Sequence, residues 1–113
     1  MKLILVTLIY FLCINLTSVK ANLAYITNEK DNTVSVIDID KKKVVKTVKV
    51  GQRPRGIIMS KNGELVLICA SDDDRVEVRD AKTLKLKYHL PSGPDPELFV
   101  LSPDDDVLYI ANE

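Results

Sequence analysis

Leu23 to Asp38 reads LAYITNEKDNTVSVID, and Leu65 to Asp80 reads LVLICASDDDRVEVRD, the same pattern 42 residues later with no gap between the two. The same step carries Gly51 onto Gly93, Pro54 onto Pro96 and Ser60 onto Ser102. A third copy begins at Val107 with VLYIANE, one further step of 42 from Leu65. An internal repeat of this length outranks every other feature in deciding the fold.

Within one period the spacing is that of strands. Thr33 to Asp38 and Val44 to Val50 alternate apolar and polar residues with a period of two, as in half-buried strands. Gly56 to Met59 and Leu65 to Ala70 are continuous apolar runs, which predicts strands buried on both faces. The polar stretches EKDN (29–32), SKNG (60–63), SDDD (71–74) and SPDD (102–105) supply turn chemistry between them. The complete period is read as an inner strand Arg55 to Ser60, a second Glu64 to Ala70, a third Arg75 to Asp80 and an outer one Leu84 to Leu90.

Four short antiparallel strands in about 40 residues make one blade of a β-propeller. The fold expected is therefore all-β: one complete four-stranded blade (51–92) flanked by partial blades (22–50 and 93–113). A closed propeller typically needs four to eight blades, so two open sheet faces are expected here. That predicts a truncated product or fragment, with a small protein that assembles by oligomerisation as the competing reading.

Before the repeat, Met1-Lys2, the apolar run Leu3 to Leu16 and the polar exit Thr17 to Ala21 read as a secretory signal peptide, residues 1–21. Val19 and Ala21 place the cut between Ala21 and Asn22. The run is shorter than the roughly 20 residues of a spanning helix, so no stable membrane anchor is expected. Leu12 before Cys13 lacks the small residue of a lipoprotein signal. Removal of the leader takes Lys2 and Lys20 from a chain with 16 basic and 16 acidic residues, leaving a weak negative charge that argues against nucleic acid as a partner. It also leaves Cys69 as a single thiol, read as a small buried apolar residue.

The segments AYITN (24–28) and YIAN (109–112) resemble the YVTN family of β-propeller repeats. Within it, NEKDNTVSVID, GQRPRGI, CASDDDRVEV, LPSGPDPELF and LSPDDDVLYIANE resemble the opening of the β-propeller proteins associated with PQQ-dependent catabolism. The resemblance implies export to the periplasm and a setting beside quinoprotein alcohol oxidation. Arg79, before Asp80, and Asp105, at a turn position, depart from the usual apolar residue and glycine.

A fold does not fix a function, so chemistry has to be found at a site. GQRPRGI (51–57) and GPDPELF (93–99) are read as equivalent connections from an outer strand to the next inner strand, over the central channel. They put Arg53 opposite Asp95 and Arg55 opposite Glu97 on one rim. These four are the candidate binding residues, for an inter-blade salt-bridge cluster or for a polar ligand or partner. No catalytic residue is assigned, because no histidine stands near a nucleophilic serine; His89 is the chain's one histidine. No metal site is assigned to Asp72–Asp74 or Asp104–Asp106, which lack calcium-loop spacing. The chain has no tryptophan of the kind PQQ-docking blades carry and no C-x-x-C-H haem attachment. No cofactor is predicted, PQQ entering by the resemblance alone.

The expected function is that of an exported, non-enzymatic accessory or binding protein of PQQ-dependent alcohol oxidation. Its partner would be a periplasmic quinoprotein dehydrogenase or cytochrome. The alternatives are a lactonase-like propeller hydrolase and a cell-surface interaction protein.

Overall fold

The computed structural model describes residues 20–113. The predicted leader therefore lies outside the described residues except for its last two, as do Cys13 and the proposed export chemistry. No helix among the described residues is long and apolar enough to cross a membrane.

Nine strands follow in order: β1 Leu23–Asn28, β2 Thr33–Asp38, β3 Lys43–Lys49, β4 Pro54–Met59, β5 Leu65–Ala70, β6 Arg75–Asp80, β7 Leu86–Pro91, β8 Pro96–Leu101 and β9 Leu108–Asn112. They pair antiparallel in three sheets, β1-β2-β3, β4-β5-β6-β7 and β8-β9. This is one complete four-stranded blade between two partial ones. The repeat extends to the register: Leu23 faces Asp38 in the first sheet, and Leu65 faces Asp80 in the second. Even the bulges match, between Val36 and Ile37 and between Val78 and Arg79.

Two cores fill the spaces between sheets. Val34 and Val36 of the first sheet meet Val66, Ile68, Ala81 and Leu84 of the second. On the other side of the second sheet, Leu67, Cys69, Val76 and Val78 meet Phe99, Leu101, Leu108 and Ile110 of the third. Strand alternation produces both at once, since neighbouring residues of β5 point to opposite faces. β5 is accordingly buried along almost its whole length. The inner strand β4 is not buried on both faces as its sequence suggests; Ile57 and Ile58 are half-buried and Met59 is exposed. Outside its own sheet its neighbours are β1 and β8, and no inner strand lies beside β1 among the described residues.

Three further expectations change in the structure. The outer strand starts at Leu86 and not at Leu84. Leu84 turns instead through the left-handed region (φ 59°), donates its N–H to the Asp80 carbonyl at 2.8 Å and is buried in the first core. The departure at Arg79 is an internal ion pair: Arg79 Nε sits 2.7 Å from Glu77 Oε2, its guanidinium also donates to the Leu84 carbonyl, and both residues are buried. A charge inside a core persists when it is paired and hydrogen-bonded in this way. The departure at Asp105 is accommodated in the left-handed region (φ 62°), where its repeat counterpart Gly63 has φ 74°.

Candidate functional site

The β3–β4 and β7–β8 connections lie at the same end of the blades, and each carries a residue in the left-handed region: Arg53 (φ 48°) and Asp95 (φ 42°). That conformation costs an ordinary residue about 1–2 kcal/mol. The preceding blade offsets it. Asn32 Oδ1 accepts the Arg53 N–H at 2.8 Å, and 42 residues later Asp74 Oδ1 accepts the Asp95 N–H at 2.8 Å. Asn32 and Asp74 are themselves left-handed (φ 56° and 51°), which Asn and Asp tolerate better than most residues. The backbone of each connection is also tied across: Ser71 N–H donates to the Arg53 carbonyl and Glu113 N–H to the Asp95 carbonyl.

This backbone lattice fixes where the side chains meet. Arg53 NH2 lies 3.0 Å from Asp95, and Arg55 NH2 pairs with Glu97, so all four residues singled out in the sequence come together. Three more carboxylates join them. Glu29 and Asp72 approach Arg53 at 3.4 and 3.2 Å, and Glu113 bridges the two arginines at 3.5 Å from Arg53 and 2.6 Å from Arg55. Two guanidiniums thus face five carboxylates, and the rim is acidic. The Arg53 Nε is closed off from solvent without a well-aligned hydrogen bond, although Glu29 is near. The hydrogen bond that Arg55 donates to Glu113, with the charges of Glu97 and Glu113 behind it, raises the Arg55 pKa above its ordinary value against the opposing effect of burial.

Glu29, Asp72 and Glu113 were not read as site residues in the sequence. The signal was present, because TNE at 27–29 and ANE at 111–113 place the same acid at equivalent ends of β1 and β9. In the complete blade that position is Ser71, which opens the short 3-10 turn Ser71–Asp73. The acidic run ties the connections together: Asp72 pairs with Arg53, Asp73 accepts the Gln52 N–H at 2.8 Å, and Asp74 holds Asp95. Among the described residues no cluster of His, Cys, Asp and Glu is arranged to hold a metal ion.

Under the rim, Cys69 is fully buried between the second and third sheets. Burial pushes its thiol pKa up to about 12, so the sulfur is a neutral packing group.

A match to the cytochrome D1 heme domain spans residues 5–97, most of the sequence. The chain belongs to the cytochrome D1 heme domain family. Among curated proteins none matches it. Among solved structures it is similar to hydrazine synthase of Kuenenia stuttgartiensis (24% identity, TM-score 0.75), covering 80% of this chain and 26% of that one. It is also similar to dihydro-heme d1 dehydrogenase NirN in complex with DHE (22%, TM-score 0.68), covering 81% and 20%. A third similar structure is a functionally unknown protein from Desulfotomaculum acetoxidans (20%, TM-score 0.68), covering 80% and 31%. These likenesses support the propeller fold, and the chain spans about a fifth to a third of the length of the structures it matches.

The family name implies a haem, which needs an axial donor such as His, Met, Cys thiolate or Tyr. The described residues do not fit one at this rim. His89 is exposed on the outer strand β7, opposite Glu77, and Cys69 is buried and protonated. Met59 stands at the far end of β4 from Arg53 and Arg55, the Tyr25 hydroxyl is engaged on the Ala81 carbonyl, and Tyr88 and Tyr109 lie exposed along β7 and β9. Both arginines, the natural partners of haem carboxylates, are already engaged by the chain's own acids.

Proposed function

We propose that this chain is part of an exported, non-enzymatic propeller that uses its charged rim to hold a partner protein. The carrying observation is the seven-residue ion cluster, which concentrates three excess negative charges where two blades meet. Exposed ion pairs contribute little to folding. Such an array acts chiefly on specificity and on the rate of encounter with a partner of opposite charge. The resemblance to propellers of PQQ-dependent catabolism supports a periplasmic setting and an accessory role in alcohol oxidation, with a quinoprotein dehydrogenase or a cytochrome as the partner.

The test is recovery of partners from a periplasmic extract with the full-length propeller, comparing the natural protein with R53A/R55A. Loss of a partner in the variant, and loss of the same partner in high salt, is the expected result. Equal recovery by both proteins overturns the rim as the binding surface.

A further inference from the structure

We infer that the outer edge of the blades, at the end away from the rim, docks on the surface of an anionic phospholipid bilayer. Five exposed lysines stand there: Lys41 and Lys43 where the first blade turns into β3, and Lys82, Lys85 and Lys87 where the second turns into β7. Because β3 and β7 end at the rim connections, their starts lie at the opposite end of the blades. The two groups adjoin, since Lys46 Nζ of β3 donates to the Thr83 carbonyl at 2.7 Å and seats the second blade's turn against the first blade's outer strand. The balanced formal charge of the sequence thus conceals two poles, an acidic rim at one end and a basic edge at the other.

The acids of this edge are spent largely on its own turns. Asp38 is buried and accepts the Lys41 N–H at 2.9 Å, and Asp80 accepts the Lys82 and Thr83 N–H groups at 2.9 and 2.7 Å. Of the five lysines Lys41 alone has an ion partner among the described residues, Asp38 at 3.7 Å. Glu64 shares a shallow hollow with Lys82 and Lys87, its carboxylate accepting the Asn62 amide at 3.1 Å. Asp104–Asp106 lie on an inner hairpin of the same end, so the contact is made by the outer edge and not by the whole end of the blades. The exposure does not come from a missing neighbour. Lys41 and Thr83, Lys43 and Lys85, Asp40 and Lys82, Val44 and Leu86, and Val45 and Lys87 are equivalent pairs exposed in both blades, the first with a following blade in place and the second with a preceding one.

Two features select a bilayer over an acidic polypeptide. All five cations are lysines, compact charges on flexible stems without the fork that fixes a guanidinium on one carboxylate, which suits a surface of mobile headgroups. Apolar side chains are also set among them: Val44 follows Lys43, and Leu86 stands between Lys85 and Lys87, at 59% and 44% exposure. Leucine and the lysine stems can enter the headgroup boundary while the ammonium groups stay at its surface, a gain that an acidic chain in water does not offer. Lysine on an edge strand also guards against strand pairing, but Lys41 and Lys82 lie on turns, where there is no edge to guard. The rim takes no part in this contact and points away from it, so the inference does not rest on the partner reading.

Vesicle flotation of the full-length propeller is the test, with vesicles of equal parts phosphatidylglycerol and phosphatidylcholine against phosphatidylcholine alone. Binding to the anionic vesicles, absent from the neutral ones and lost in molar salt, is the expected result. K43Q/K85Q should bind about 25-fold more weakly, at about fivefold for each lysine near an anionic surface. K30Q/K49Q removes the same charge from the rim end and should bind as the natural protein does, with the urea midpoints of both variants unchanged. No binding, equal binding to neutral vesicles, or equal weakening by the two variants would each overturn the proposal. Retention on immobilised polyglutamate without vesicle binding would overturn it too, assigning the edge to an acidic polypeptide.

Discussion

Gly51 and Gly93 are identical in the repeat, yet the structure requires them for different reasons, and the two substitutions G51A and G93A should separate in stability. A methyl group on Gly51 would stand 2.6 Å from Ala70 Cβ, 2.7 Å from Asp73 Oδ2 and 2.9 Å from Glu77 Oε1. Carbon–carbon contacts are comfortable at about 3.5–4.0 Å, so the connection has to retreat by roughly 1 Å. Ala70 Cβ is fixed by the buried strand β5, and Glu77 is held by Arg79, so neither yields cheaply. Overpacking of this kind costs about 1–3 kcal/mol, and three simultaneous contacts put G51A toward the upper end. Gly93 has φ 77°, and a methyl group there would meet one close neighbour, Asn112 Nδ2 at 3.3 Å, the end of a side chain that has to give by only a few tenths of an ångström. Alanine there costs chiefly the left-handed backbone, about 1–2 kcal/mol. Urea unfolding followed by circular dichroism measures both. Equal destabilisation, or G93A the worse of the two, would refute the assignment of Gly51 to packing.

The buried thiol sets an alkaline limit. Because the folded pKa of Cys69 is raised to about 12, its contribution is complete below the unfolded value near 8.5 and is lost as pH rises above it, by at most about 1.4 kcal/mol per pH unit. Urea midpoints of the natural chain and C69A from pH 7 upward should diverge in slope on passing about pH 8.5. At the acid end, Asp80 accepts from the backbone and hydroxyl of Thr83 and from the Lys82 N–H, which hold its pKa below the usual carboxylate value. Its contribution is present above about pH 4 and disappears as pH falls through the depressed folded value, so D80N should flatten the acid limb of the same titration. L84A should cost about 2–4 kcal/mol for an emptied core position, whereas K42A, at the exposed equivalent 42 residues earlier, should stay within about 0.5 kcal/mol.

The strands were legible because turn residues and β-branched alternation recur in step, and two registers of the same repeat check each other. Observed bounds differ from those read in the sequence by no more than two residues, the largest shift falling at Leu84. Periodicity places an apolar residue in a core but is blind to a core reached from a left-handed turn. Glu77 and Arg79 were hidden for a related reason. Alternation counts them as residues of a solvated face, whereas that face of β6 meets another blade, and only the three-dimensional step between blades shows it. At the rim the repeat brought Arg53, Arg55, Asp95 and Glu97 to matching positions. It gave no measure of which further acids reach them, since Glu29 and Glu113 arrive from the ends of second strands whose proximity depends on how the blades stack.

The two layers of the rim divide its labour. Blade-to-blade position is set by backbone N–H groups held on Asn32 and Asp74 and by buried contacts such as the Ser71 hydroxyl donating to the Pro96 carbonyl at 2.5 Å. These bonds do not involve the guanidiniums, so the ion pairs above them can change partners without loosening the seam. Arg53 shows this most directly, because its N–H is committed to Asn32 while its side chain is shared among four carboxylates. A cationic surface approaching the rim meets acids already gathered and only weakly neutralised, and their desolvation cost is met in part by the arginines beneath them. Removing the arginines should therefore disperse the acids and weaken binding even though it makes the rim more negative. Simple long-range attraction predicts the opposite sign, and the R53A/R55A comparison distinguishes the two.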